Sequence, residues 1–261
     1  MIVEEKQLLS EGYVKTEVHN HIATIEFFHP RSNSLPAAIL AQLAHEITYA
    51  GNDSDIHVII LQAAGEKVFC SGASFDELVA IESAEQGLAF FSGFAHVINA
   101  MRKCDKFIIG RIHGKCVGGG VGLAAACDYA IATEGADVKL SELAVGIGPF
   151  VVGPAIERKI GQSAFSQIAI DASMWRNADW ARRKGLYAEL HPTPDGMNES
   201  IQRLANELSH GSYQAMAELK AVLWKGTEHW DQLLSERAAI SGRLVLSDFT
   251  KNFIKKFKEK K

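Results

Sequence analysis

Residues 55–75, DIHVIILQAAGEKVFCSGASF, run from an unbroken apolar stretch into a turn of small residues. Val58–Leu61 has the short, continuous hydrophobicity of a buried strand. FCSGASF at 69–75 then places Ser71, Gly72, Ala73 and Ser74 just after that strand. Small residues at such a point let backbone N–H groups come close to a ligand, although glycine in a turn is often there for conformation alone. A second segment repeats the plan. Phe107–Ile112 is a buried strand, and GKCVGGGVGLAAAC at 114–127 is a Gly-rich turn running into an Ala-rich helix. Ala84–Lys103, between the two strands, has the spacing of an amphipathic helix. Strands separated by helices predict crossover units and a largely parallel sheet, the α/β class.

Outward from this centre, Tyr13–Val18 and His21–Phe28 read as a hairpin joined at His19-Asn20, with a loop at 29–34. Leu35–Ala50 has helical apolar spacing at Ile39, Leu40, Leu43 and Ile47, with Pro36 allowed in the first turn. Short strands follow at Asp128–Thr133 and Asp137–Leu140. From Pro154 onward helices dominate, at Ser163–Ala172, Ala178–Lys184, Asn198–His210, Ser212–Leu223 and about 227–246. HPTPDG at 191–196 is the linker candidate, dividing a core at 1–190 from a helical region at 191–261. The basic tail FIKKFKEKK reads as a solvated helix end.

The composition narrows the function. The chain has 261 residues, 47% of them hydrophobic, and a formal net charge of −4. That charge disfavours a general nucleic-acid binder. No stretch is apolar enough to span a membrane. The start, MIVEEKQLLSEG, has neither the cationic-then-apolar plan of a secretory signal nor the acid-poor character of a transit peptide. Cys70, Cys104, Cys116 and Cys127 lack CxxC spacing and sit among apolar neighbours, as reduced core thiols of a cytoplasmic protein do. The Gly-rich segment fits neither GxGxxG nor GxxxxGK[ST], and no serine lies in a GxSxG elbow. His45-Glu46 has no second His at zincin spacing, so no metal site is expected.

Two features could still carry chemistry. Backbone N–H groups from the turn at 69–75 and from the helix start at 118–120, aimed at one point, would form an oxyanion hole. Glu142 is followed by no charged residue until Glu157. A carboxyl in so apolar a stretch is desolvated and its pKa rises toward that of a general base, although capping a helix or pairing with a lysine would equally account for it.

Taken together, DIHVIILQAAGEKVFCSGASF at 55–75, GGGVGLAAACDYA at 118–130 and LSELAVGIGP at 140–149 resemble the crotonase superfamily, the enoyl-CoA hydratase/isomerase family. The likeness covers about residues 13–190. It implies a spiral of βαβ units with two roughly perpendicular sheets, and a C-terminal helical region used for assembly into a homotrimer or a hexamer. Carried over position by position, it implies that the N–H groups of Ala73 and Gly119 hold the thioester oxygen of an acyl-CoA, and that Glu142 is the acid/base. Ala73, Ser74, Phe75 and Asp76 would line the coenzyme A path, with Gly118 and Gly119 beside the thioester. Phe253 and Lys256 would meet the adenine end from a neighbouring subunit. Coenzyme A enters as part of the substrate, with no separate cofactor. Two positions depart from the family pattern: Ser74 stands where an Asp is usual, and Gly122 stands where two-base hydratases carry a first Glu. With Glu142 alone, the pattern resembles the single-glutamate Δ3,Δ2-enoyl-CoA isomerases. Hydration, including that of branched methylglutaconyl-type substrates, is the alternative reaction. A catalytically silent acyl-CoA binding or assembly subunit is the alternative of another class, and the retained Glu142 speaks against it.

Overall fold

The computed structural model describes residues 11–258, with side chains through Lys256. The opening ten residues and the last three of the basic tail lie outside the described residues.

The hairpin forms as expected, from β1 (Tyr13–His19) and β2 (Ile22–Phe28). They begin a six-stranded sheet, continued by β4 (Val58–Ala63), β7 (Phe107–Ile112), β9 (Tyr129–Thr133) and β11 (Glu189–His191), in the order β1-β2-β4-β7-β9-β11. Only the β1–β2 pair is antiparallel, and each later strand joins parallel to its neighbour. The apolar run at 58–61 is buried on both faces. Ile59 and Leu61 enter the main core, whereas Val58 and Ile60 face a second cluster on the other side.

That second cluster corrects the reading of 191–196. The segment is not a linker: it holds the end of β11 and the first turn of a helix at Pro194–Ser209. Thr193 is the N-cap, its hydroxyl accepting from the Gly196 N–H at 3.2 Å, and Pro194 takes the first helical position. Met197, Ile201 and Ala205 of this helix seal Ile22, Val58, Ile60, Ile109 and Ile131 from water.

On the main-core face lie α1 (Ala37–Asn52) and α3 (Ala84–Lys103). α3 starts at Ser83, whose hydroxyl accepts from the Gln86 N–H, and buries Phe94, Val97, Ile98 and Met101. The short strand β3 (Ser34–Leu35) precedes α1, and between the two helices come the short strands β5 (Val68–Cys70) and β6 (Gly72–Ala73) and the short helix α2 (Phe75–Val79). β8 (Lys115–Val117) and β10 (Val138–Lys139) join β5 in a three-stranded sheet, and β3 pairs with β6. The Ala-rich helix is α4 (Gly119–Ala126), buried along its whole length, and Glu142 opens α5 (Glu142–Val145).

The next helix, α6 (Gly153–Ile170), starts earlier than expected and is broken at Gly161, with φ 76°. After α7 (Ala178–Arg183) and the sheet-covering α8 (Pro194–Ser209) come α9 (Tyr213–Leu223), α10 (Trp230–Leu244) and α11 (Asp248–Lys258). α9 is tied down by a buried ion pair. Lys220 Nζ lies 2.8 Å from Asp128 Oδ2 and donates to the Lys106 carbonyl, and the Trp224 indole N–H donates to Asp128 Oδ1 at 2.8 Å. All four cysteines are buried and unpaired, as their apolar surroundings implied. Among the described residues no helix is long and apolar enough to cross a membrane.

Candidate active site

The two small-residue turns meet. β6 is fixed by its parallel pairing, Ser34 with Gly72 and Leu35 with Ala73. The Ser34 hydroxyl donates to the Ala73 carbonyl at 2.9 Å, and the Ser74 N–H donates to the Leu35 carbonyl at 3.0 Å. Facing this strand is the start of α4. Gly118, its N-cap, has φ 53° and ψ −113°, and its N–H donates to the Lys139 carbonyl. An L side chain rarely adopts that φ, and a Cβ there would also stand 2.9 Å from Glu142 Oε1. The N–H groups of Gly119 and Gly120 precede the first bond of the helix, which the Val121 N–H donates to the Gly118 carbonyl at 3.0 Å. A Cβ placed on Gly72 would lie 3.5 Å from the Gly119 nitrogen, so the two turns are in contact distance.

Glu142 closes the third side. Its Oε2 is buried and has no hydrogen-bond partner. Burial pushes the carboxyl up to about 7 from an ordinary 4.5, only partly offset by the N–H groups of Glu142 and Ser141. The alternative of a lysine partner falls away, while the N–H groups the carboxyl meets are those that open its own short helix, α5. No ion pair to Glu142 is found among the described residues, and the next long helix starts at Gly153.

These groups line one cavity of about 500 Å³. Ala73, Ser74, Phe75, Asp76, Gly118, Gly119 and Glu142 all border it. Phe253 and Lys256 do not: Phe253 is half-buried and Lys256 exposed on α11, which touches this region through Phe249 and Thr250 against Gly146. Ser74 has a local role that accounts for its hydroxyl, because it caps α2 by accepting from the Glu77 N–H at 3.3 Å. Asp76 is mostly exposed and forms an ion pair with Arg31.

Other lining residues were not legible as site residues. Phe94 was read only as part of an amphipathic helix. Its ring lies directly against Gly119, where any Cβ would collide with it. Val152 is the more telling case. A Cβ on Gly122 would stand 2.5 Å from Val152 Cγ1, so valine fills the space that a side chain at 122 would need. Among the described residues no group of three or more His, Cys, Asp or Glu side chains is placed to hold a metal ion.

Residues 17–261 match the family model described as enoyl-CoA hydratase/isomerase. The chain belongs to this family. Its members similar to this chain differ in the reaction they are named for. One is the peroxisomal Delta(3,5)-Delta(2,4)-dienoyl-CoA isomerase of Arabidopsis thaliana, 27% identical, the match covering 83% of this chain and 82% of that one. Another is the short-chain-enoyl-CoA hydratase of Clostridium acetobutylicum, 26% identical over 94% of both chains. A crystal structure of an enoyl-CoA hydratase from Bacillus halodurans superposes with a TM-score of 0.86 at 25% identity, covering 94% of this chain and 99% of that one. The crotonase-type α/β fold, with a C-terminal helical region, is therefore that of the family.

Proposed function

We propose that this member of the family is a Δ3,Δ2-enoyl-CoA isomerase in which Glu142 moves one proton. The observation that carries the reading is the pair of positions around the reacting centre. Among the described residues Glu142 is the one carboxyl with a desolvated oxygen on the cavity, and Val152 blocks the place at residue 122 from which a second carboxylate would act.

The chemistry then follows. Ionised Glu142 removes a proton from C2 of a 3-enoyl thioester. The electron pair moves onto the thioester oxygen, which accepts hydrogen bonds from the N–H groups of Ala73 and Gly119. The same carboxyl, now protonated, returns the proton at C4 as the enolate collapses to the 2-enoyl product. No water is consumed, in keeping with the apolar lining. A carboxyl with a pKa of about 7 is populated in both the forms this cycle needs. Hydration would require a second group to hold and activate water. The deciding experiment supplies purified protein with 3-enoyl-CoA, 2-enoyl-CoA and 3-methylglutaconyl-CoA and identifies products by mass and retention. A kcat/KM for isomerisation above that for hydration is expected, and the reverse order would overturn the assignment.

We further propose assembly as a homotrimer or a multiple of it, in the cytoplasm, with Phe253 and Lys256 offered to a neighbouring subunit's coenzyme A. Leu219, Val222 and Leu223 leave an apolar face of α9 exposed on the single chain, which supports burial by another copy. Light scattering that returned a monomer at micromolar concentration would refute it.

A further inference from the structure

The sheet carries a second cavity, of about 560 Å³, on its α8 face, and this cavity shares no lining residue with the active site. It arises from a change of character along three neighbouring strands. Side chains two positions apart share a face. On this face β2 runs Ile22, Thr24, Glu26, β4 runs Val58, Ile60, Gln62, and β7 runs Ile109, Arg111. Ile22, Val58, Ile60 and Ile109 are sealed under α8. Toward the carboxyl ends of the strands the same face turns polar, and the register sets Glu26 beside Gln62 and Gln62 beside Arg111. Asn198 and Gln202 of α8 complete the lining, over the buried Ile60 and Ile201. The carboxyl ends of parallel strands are where open α/β sheets hold ligands.

The two charged groups on this lining differ in what they already hold. Glu26 accepts from the Tyr13 hydroxyl at 2.9 Å and from Gln62 Nε2 at 2.8 Å, and Lys15 Nζ lies 3.1 Å from it. Its charge is matched and both its oxygens are bonded. Arg111 is half-buried, and no carboxylate among the described residues forms an ion pair with it. Burial makes its charge costly, and Glu26 offsets only part of that. Its Nε donates to Asn198 Oδ1 at 2.7 Å. Nη1 and Nη2 have no protein acceptor among the described residues. That edge presents two parallel donors, the arrangement that receives two oxygens of a carboxylate or phosphoryl group. Asn198 Nδ2 is left to donate and Gln62 Oε1 to accept, partners suited to hydroxyl groups on the same ligand.

We propose that this cavity is a second ligand site, for a small hydroxylated oxyanion, a carboxylate or a phosphate monoester, held by the Nη edge of Arg111. The proposal goes beyond the isomerase reading and does not depend on it.

The test titrates glycerol 3-phosphate and, separately, glycerate into the full-length protein by calorimetry. At least one should bind, one molecule per chain, with a Kd of about 1 mM or tighter, and the comparison tells phosphate from carboxylate as the preferred group. Arg111→Gln should weaken that binding by at least about tenfold. Asn198→Asp keeps the shape of the lining but sets a carboxylate beside the guanidinium, so it should compete for Arg111 and weaken binding to a similar extent. It decides the matter if Arg111→Gln does not fold. Arg31→Gln removes a cation from the active-site cavity instead and should leave binding unchanged. No binding of either compound at about 10 mM overturns the proposal. Binding that persists in folded Arg111→Gln or Asn198→Asp protein, or that is lost in Arg31→Gln, overturns it as well.

Discussion

Val152 and Gly122 share one space: a Cβ on Gly122 would lie 2.5 Å from Val152 Cγ1 and 2.7 Å from Val152 Cβ. Installing the hydratase-type glutamate by Gly122→Glu alone therefore overpacks a fully buried helix. The single variant should lose about 1–3 kcal/mol of stability, seen as a lower Tm. Gly122→Glu combined with Val152→Gly clears the collision. The double variant should recover part of that loss and raise the ratio of hydration to isomerisation in kcat/KM. A double variant that is stable and still hydrates no faster would mean that water is excluded by more than Val152.

The Glu142 carboxyl supplies a pH signature. Isomerisation starts from the ionised form, so kcat/KM should rise with pH and reach half its plateau near pH 7, where burial has moved the group. Stability should run the other way. Below pH 4.5 the carboxyl is protonated whether the chain is folded or not. Between 4.5 and 7 the unfolded chain ionises while the folded one keeps its proton, so stability falls as pH rises, by about 3 kcal/mol in total from this group. Glu142→Gln should remove that fall and also lower kcat by at least about a hundredfold. Denaturant titrations at pH 4 and pH 8, beside the rate profile, check both halves.

Gly119 offers a test of its N–H that side-chain mutagenesis cannot. A proline or alanine there would remove or keep the donor but would in either case strike the Phe94 ring. Replacing Gly119 by glycolic acid, a backbone ester, deletes the N–H and adds no atoms. The expected result is a loss of about 10²–10³ in kcat with a smaller change in the affinity for a saturated acyl-CoA. An unchanged kcat would take that donor out of the mechanism.

The Asp128–Lys220 pair predicts a purely structural effect. Both side chains are almost fully buried, and Asp128 also accepts from the Ile108 and Trp224 N–H groups. Lys220→Met leaves the Asp128 carboxylate buried without its cation and should cost about 3–5 kcal/mol. Adding Asp128→Asn should return much of it. Chemical denaturation at one fixed protein concentration measures the cycle.

Much of the fold was readable because its long elements announce themselves locally. Ala84–Lys103 and Phe107–Ile112 form over the limits that their apolar spacing predicts. The β5, β6 and β8 strands have two or three residues each, too few to show a period, whereas β10 forms within the short strand expected at Asp137–Leu140. Residues 191–196 misled because proline and glycine mark helix starts as well as linkers, and the threonine cap ahead of Pro194 was the signal to weigh. At the site, the motif residues Ala73, Gly119 and Glu142 were legible and do converge on one cavity. Phe94 and Val152 were not. Their importance lies in what they touch across the fold, Gly119 and Gly122, and nothing in the local sequence around either one records that contact.

The four buried cysteines give the molecule an internal clock. Burial raises every one of their thiols, so the native chain presents no thiolate for an alkylating reagent to meet. Each modification must wait for the chain to open, and the lag before it times that opening. Cys104 ends α3 near the surface end of the core, while Cys70, Cys116 and Cys127 are sealed around α4. The order in which the four masses shift would therefore tell whether the molecule first comes apart at its helical flank or at the elbow that builds the site.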